Sequence, residues 1–384
     1  MSIRLPSADG GLRVYEPCAD PLEPLAFLPA RSRRFYSAAH VVADPLAACA
    51  VGPPAVDWGS TLAFRHRLWA QGLGVAEAMD TAQRGMGLDW PTAAELIRRS
   101  AADALAVGGR IVCGAGTDQL PPGRHTLAVI TAAYEEQLAH VEACGAPAVL
   151  MASRALAAAA RGPEDYLEVY GRLLRQSARP VVLHWLGPMF DPELTGYWGH
   201  QDLDDATDVF LKLIAEHPEK VDGIKVSLLD AGREVDIRRR LPAGVRCYTG
   251  DDYHYPELIE GDEHGASDAL LGIFDPIAPL AARAASALDE GDPVRFRTLL
   301  DRTVGLARHV FARPTRYYKT GVVFLAWLAG HQDHFTMLGG LQSARSLPHL
   351  ATAYEGADLL GLFPDPERAE RRMRRLLAVH GVAS

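Results

Sequence analysis

Lys225 stands inside the run Val221-Asp222-Gly223-Ile224-Lys225-Val226-Ser227, a short apolar stretch with strand character and one basic residue near its exit. The chain holds only four lysines, Lys212, Lys220, Lys225 and Lys319, against 35 arginines. A chain that uses arginine for generic positive charge, yet keeps a lysine inside an apolar strand, has a use for something guanidinium cannot do. A desolvated amine can lose its proton and become a nucleophile; guanidinium stays charged. The bland alternative is a strand-end lysine that snorkels its ammonium to water. The nucleophile reading needs polar partners delivered to the same place by neighbouring elements.

Those elements alternate along the chain. Apolar runs at 35–42, 73–79, 110–116, 147–151, 180–185, 221–227, 245–250 and 265–272 read as strands, and amphipathic segments between them read as helices. Asp89-Trp90-Pro91 opens one such helix, with proline at its first position. The Ala-rich stretch 155–160 also reads as helix. Eight strand–helix units in this length predict a (β/α)8 TIM barrel over 35–290. Turn-rich residues 1–34 form an N-terminal arm, a short hairpin or extended segment outside the barrel. Residues 291–384 form additional C-terminal helices packed on it, at about 293–311, 317–328 and 366–379. No G-x-G-x-x-G follows the first strand, which removes support for a dinucleotide fold.

Barrel chemistry sits at the carboxyl ends of the strands. Those positions hold His40, Glu77 with Asp80 and Thr81, Thr117 with Asp118, Ser153 with Arg154, His184, Lys225 with Ser227, Asp251 with Asp252, and Asp275. An inward lysine there is partly desolvated, which lowers its pKa and frees the amine to attack a ketone or aldehyde. The resulting imine is an electron sink for carbon–carbon cleavage or formation, or for loss of water. Ser153, His184, Glu77 and Asp251 are candidate proton shuttles, and His184 has the side chain whose ordinary pKa suits neutrality. Glu77 reads equally as a structural salt bridge, and Asp251 with Asp252 as a helix cap. Asp80, Thr81, Arg154, Ser227, Asp251, Asp252 and Asp275 are candidate substrate contacts.

The order Gly223-Ile224-Lys225, Thr249-Gly250-Asp251-Asp252, Gly265-Ala266, Asp275 and Pro279 resembles the dihydrodipicolinate synthase / N-acetylneuraminate lyase superfamily. Gly114-Ala115-Gly116-Thr117 and Pro180-Val181-Val182-Leu183-His184-Trp185 resemble its third and fifth strands, and Arg313-Pro314 with Lys319 its C-terminal helix. The likeness spans roughly 35–345. It implies a (β/α)8 barrel with extra C-terminal helices, homo-oligomers (dimer or tetramer), and an imine formed on Lys225 with no other cofactor. It also places Lys319 outside the barrel mouth, as a brace. Two departures stand out. Where the superfamily has a Gly-Thr-Thr-Gly-Glu loop for a pyruvyl carboxylate, this chain has Met79-Asp80-Thr81-Ala82-Gln83, and Asp80 repels a carboxylate. Where the fourth strand ends in a proton-relaying tyrosine, this chain has Met151-Ala152-Ser153-Arg154. Both point away from dihydrodipicolinate synthesis. They favour a Schiff-base lyase, aldolase or dehydratase on another small carbonyl compound, a keto acid or a sugar-derived ketone, with neutral polyol character suiting the acidic site.

Two rival readings stand beside this one. A metal-dependent barrel isomerase or aldolase would draw ligands for a divalent cation from Glu77, His40, His184, Asp251 and His254, at spacings that match no short motif. A barrel that has lost catalysis would serve as a binding protein; the missing tyrosine favours it and Lys225 opposes it. The net charge of −9 argues against nucleic-acid partners. Cys18, Cys49, Cys113, Cys144 and Cys247 are widely spaced and odd in number, as expected of reduced thiols. No apolar run reaches the length of a membrane span, and residues 1–11 lack the pattern of a secretory signal, so a cytoplasmic protein is expected.

Overall fold

A computed structural model describes residues 2–17 and 20–382. Strands β1 (Ile3–Pro6) and β2 (Leu12–Tyr15) pair antiparallel across a turn tied by the Asp9 side chain, which accepts from Gly11 N. This hairpin is not a free arm. Ile3 and Leu5 are buried, and Tyr15 meets Tyr354 edge-on at 6.0 Å, so the hairpin lies on the C-terminal helix Leu347–Leu359.

Eight parallel strands then close a barrel. They are β3 (Phe35–Ala38), β4 (Gly74–Glu77), β5 (Ile111–Ala115), β6 (Ala148–Leu150), β7 (Val181–Leu186), β8 (Val221–Ser227), β9 (Arg246–Thr249) and β10 (Asp268–Leu271), with β10 pairing back to β3. The sequence placed all eight, and the structure trims most of them by a residue or two. The longest trims are at β10, which keeps only Asp268–Leu271 of 265–272, and at β3, which ends at Ala38 and not at Val42. Beyond it the backbone N–H of His40 leaves the sheet and donates to Asp275 instead.

Side chains alternate between the barrel interior and the surrounding helices. Tyr36, Ala38, Ala76, Val112, Val149, Val182, Tyr248 and Leu270 pack on one another inside the barrel, apart from the main core between sheet and helices. Tyr36 and Tyr248 fill its lower half, with ring centroids 6.1 Å apart. Gly223 makes room for them, because a Cβ there would come within 2.7 Å of Tyr248 Cε2.

Outside the barrel, Trp58–Ala70, Trp90–Val107, Leu127–Ala143, Pro163–Gln176, Leu203–Glu216, Ala231–Arg240, Tyr255–Glu260 and Ala278–Asp289 are helical. Ala231–Arg240 escapes a periodicity reading because it buries only Glu234 and Ile237. The helix expected over 293–311 is two, Pro293–Asp301 and Val304–Val310. They part where the buried Thr303 turns its hydroxyl back onto the Leu300 carbonyl at 2.6 Å. Tyr318–Leu328 is buried at every residue, wedged among the other C-terminal elements, as expected of a helix apolar on all sides. Its first turn reaches the barrel mouth. Leu347–Leu359 and Pro366–Val379 complete the C-terminal layer. Among the described residues Cys49, Cys113, Cys144 and Cys247 are free thiols, and no helix is long and apolar enough to cross a membrane. Cys18 lies outside the described residues.

Candidate active site

Parity along β8 sends Gly223, Lys225 and Ser227 to the barrel interior, and the same parity past β9 sends Tyr248, Gly250 and Asp252 there. Lys225 is 7% exposed and opens on a small chamber of about 20 Å³. Asp80, Thr81, Ser227, Asp252 and Tyr318 share that chamber, with Met79, Phe190 and Phe311 as its apolar wall. Gly250 permits the approach of β9. A Cβ there would stand 2.1 Å from Ser227 Oγ and 3.0 Å from Lys225 Cε.

Among the described residues, the Lys225 amine makes no hydrogen bond and no ion pair. Burial lowers its pKa, and the nearby charges of Asp80 and Asp252 oppose that shift without cancelling it. Burial raises the Asp252 carboxyl, although it accepts from Ile273 N at 2.9 Å and feels Lys225. The two shifts run toward each other, which narrows the gap between amine and carboxyl. The site therefore sets an amine that loses its proton more easily than usual beside a carboxyl that keeps its proton more readily than usual.

Tyr318 brings a hydroxyl from the C-terminal layer. Its OH lies 2.7 Å from Thr81 Oγ1, both groups buried. Its ring stacks on Phe311 at 4.2 Å and meets Phe190 edge-on. Burial holds the phenol well above its usual pKa, so it stays protonated as a hydroxyl bonded to Thr81. The loop that carries Asp80 and Thr81 is bracketed by two non-glycine residues in the left-handed region, Ala78 (φ 53°) and Gln83 (φ 65°). Gln83 Nε2 donates to Leu338 O at 2.8 Å and Arg84 Nη1 to Ala78 O at 3.2 Å, which holds that strained loop in place.

A larger cleft of about 420 Å³ adjoins the chamber and shares Asp80 and Leu186 with it. Its wall includes Arg84, Thr117, Asp118, Ser153, Arg154, His184, Asp191 and Glu193. Ser153 Oγ is 2.6 Å from Thr117 Oγ1 and caps the helix Arg154–Ala159 by accepting from Leu156 N. That leaves it a positioning group in the cleft and not a shuttle at Lys225. Arg154 Nε donates to Asp191 Oδ2 at 2.5 Å, with Glu193 at 3.7 Å.

Several expected roles are corrected. His184 sits beside Lys225 in register and lines the cleft, with Nε2 3.1 Å from Ser227 Oγ. Burial first, and the Lys225 charge second, hold its pKa well below the usual value. It is a neutral hydrogen-bonding ring and does not titrate near neutrality. Glu77 faces the opposite side of β4 from the chamber. It is paired bidentately with Arg65 at 2.8 Å, and that charge outweighs burial to keep its carboxyl below the usual range. Asp251 accepts from Tyr253 N and His254 N in the turn ahead of the helix Tyr255–Glu260 and holds His254 Nδ1 at 2.9 Å. Asp275 is engaged by the backbone and ring of His40, at 2.9 and 2.8 Å. None of Glu77, Asp251 or Asp275 lines the chamber or the cleft. The donor set Glu77, His184, Asp251 and His254 is not brought together. Among the described residues no group of three or more such side chains converges on a metal position.

Tyr318 was missed from sequence: it is one of three tyrosines in the C-terminal extension, with nothing local to single it out. Lys319, expected as a brace outside the mouth, is 2% exposed, its Nζ contacts Met86 Sδ at 3.2 Å, and burial lowers its pKa to about 8 against the pull of Asp80. It lines neither space.

The architecture is that of the dihydrodipicolinate synthases, as the sequence resemblance implied. The enzyme from Thermotoga maritima superposes with a TM-score of 0.65 at 12% identity, covering 86% of this chain and all (100%) of that one. The enzyme from Aquifex aeolicus gives 0.62 at 15% identity, covering 91% and 98%. YagE, a prophage protein of that family from E. coli K12 solved in complex with pyruvate, gives 0.62 at 14% identity, covering 91% and 99%. In sequence, the 4-hydroxy-tetrahydrodipicolinate synthase of Azoarcus sp. (strain BH72) is 34% identical over 115 residues, 29% of this chain and 37% of that protein. Within this barrel class the chain belongs to the family described as "Protein of unknown function (DUF993)", which matches residues 3–382.

Proposed function

We propose that the protein is a Schiff-base-forming lyase, cleaving a carbon–carbon or carbon–oxygen bond of a small carbonyl compound through Lys225. The observation that carries the reading is a buried amine with no partner, its pKa lowered, opening on a chamber with a protonatable carboxyl and a hydroxyl relay. A structural lysine at this depth would be paired, because an isolated buried ammonium is costly.

The amine lone pair adds to the carbonyl carbon. The carbonyl oxygen takes up protons and leaves as water, and the nitrogen keeps one hydrogen and a positive charge as the iminium. Asp252, whose carboxyl holds a proton near neutrality, is placed to supply one of those protons. The Tyr318–Thr81 pair carries protons to and from the carbon or oxygen atoms next to the iminium. In carbon–carbon cleavage the electrons of that bond flow into the iminium, giving an enamine, while the other fragment loses its hydroxyl proton to the relay and leaves as a carbonyl compound. In carbon–oxygen cleavage the electrons of the neighbouring C–H bond do so, its proton passing to the relay, and the enamine then expels the protonated oxygen as water, which restores an iminium. Addition of water to the iminium, after protonation of the enamine in the carbon–carbon case, returns the free amine. Ser227 with the neutral His184 orients what lies between chamber and cleft.

The test is borohydride trapping of the intact chain with a panel of keto acids, keto sugars and aldehydes, read by peptide mass spectrometry. A reduced adduct on the Lys225 peptide, lost in Lys225→Arg, supports the reading. Adducts confined to Lys319, or none on folded protein, contradict it.

A further inference from the structure

Charge is handled differently on the two sides of Asp80. In the cleft every arginine is already answered. Arg84 spends all five N–H donors, on Asp118 through Nε and Nη2, on Gln137 Oε1 at 2.8 Å, and on the carbonyls of Ala78 and Gly114 at 3.2 and 3.3 Å. Arg154 faces both Asp191 and Glu193. Lys319 lines neither space. The acceptors are the ones left over. Asp80 lines both spaces, and among the described residues its carboxylate makes no hydrogen bond or ion pair. Asp252 adds a second acidic group to the chamber. His184 Nδ1 is buried without a partner, and the amine of the buried Lys225 makes no hydrogen bond or ion pair among the described residues. They mark this as a place built around an absent molecule, not merely an acidic patch.

We infer that the substrate of Lys225 is an uncharged hydroxymethyl ketone, its hydroxymethyl end in the chamber on Asp80 and Asp252 and its longer polyol chain in the cleft. The inference rests on the imine role of Lys225. A carboxylate next to the carbonyl would lie against the Asp80 carboxylate, with no cation lining the chamber but Lys225 itself, which must be uncharged to react. A hydroxyl donates to Asp80 and can accept from Tyr318 or Thr81. The chamber, about 20 Å³, admits a group the size of a water molecule or hydroxymethyl and little more. The rest of the substrate must extend into the cleft of about 420 Å³. Its lining offers Ser153, Thr117 and His184 Nδ1, the last unpartnered in the free protein and able to meet a hydroxyl in either tautomer.

The experiment compares borohydride trapping on Lys225 by dihydroxyacetone, hydroxyacetone and pyruvate. Each yield is divided by the yield on free N-acetyl-lysine, for the native chain and for Asp80→Asn, with folding checked by circular dichroism. The two hydroxymethyl ketones should exceed pyruvate by at least about tenfold on the native chain, and Asp80→Asn should shrink that ratio about tenfold by admitting pyruvate. Pyruvate capture equal to or above that of the hydroxymethyl ketones would overturn the substrate class while leaving the Lys225 imine standing. A ratio unmoved by Asp80→Asn would overturn the assignment to Asp80. No Lys225 adduct with any of the three on folded protein would sink the imine reading and this inference with it.

Discussion

Glu77 and Asp80 are three residues apart on one strand and its loop, and the molecule treats them in opposite ways. Behind β4, Glu77 and Arg65 are fully buried and fully satisfied: two guanidinium–carboxylate bonds at 2.8 Å, with Arg65 Nη1 also reaching the Thr61 and His40 carbonyls. In front of β4, Lys225, Asp80 and Asp252 are brought near one another without an ion pair. Burial is common to both regions. What separates them is whether the polar groups have been given partners. A satisfied buried pair holds a fold together, and an unsatisfied set holds a place for a reactant.

The sharpest break of that comparison comes from deleting one charge on each side. Lys225→Ala and Lys225→Arg should reduce turnover of the true substrate to background, while urea unfolding shows the stability of Lys225→Ala kept or improved, since an unpaired buried amine is removed. Arg65→Ala should lower stability by about 3–5 kcal/mol in the same urea measurement, because it strands Glu77 in the core. If Lys225→Ala were the destabilised variant, the roles assigned to the two regions would be reversed.

Tyr318→Phe should lower kcat by about 10²–10³-fold and leave borohydride capture on Lys225 nearly intact, because the relay acts after the amine has attacked. Equal loss of both would make Tyr318 a wall and not a relay. Gly250→Ala is expected to cost about 1–3 kcal/mol and to slow capture, since the added methyl displaces Ser227 Oγ and Lys225 Cε. The smallest effect is a pH dependence away from the mouth. Burial raises the Glu234 carboxyl to about 8, although Ser267 Oγ donates to it at 2.7 Å. Between its ordinary value of 4.5 and about 8 the folded chain holds a proton that the unfolded chain has lost. Its stabilising contribution is thus full below pH 4.5 and falls as pH rises to about 8. Glu234→Gln should flatten that slope in urea titrations at several pH values.

Much of this was legible in the sequence, because barrel strands are local, apolar and bounded by turns. All eight were placed, and β8 to the residue. Lys225 stood out as the candidate nucleophile through its rarity. Side-chain parity was also available and would have done more. Counting by two from Ala76 turns Glu77 outward, and counting by two from Tyr248 separates Asp252, which faces Lys225, from Asp251, which ties the turn ahead of a helix. His184 was misjudged because its titration depends on burial and on the Lys225 charge, neither of which a strand pattern reveals. Tyr318 was out of reach for a different reason. It arrives from 237 residues beyond Thr81, and only the packing of a helix apolar on every side brings the two hydroxyls together.

The claim beneath all of this is that Lys225 is an amine kept unpaired and ready to lose its proton. With only four lysines in the chain, reductive methylation with ¹³C-formaldehyde yields a spectrum simple enough to follow each one through a pH titration. The account predicts that the Lys225 signal, assigned by its loss in Lys225→Arg, titrates below the ordinary lysine value of 10.5. A titration at or above that value would show an ammonium clamped between Asp80 and Asp252, and would contradict the nucleophile.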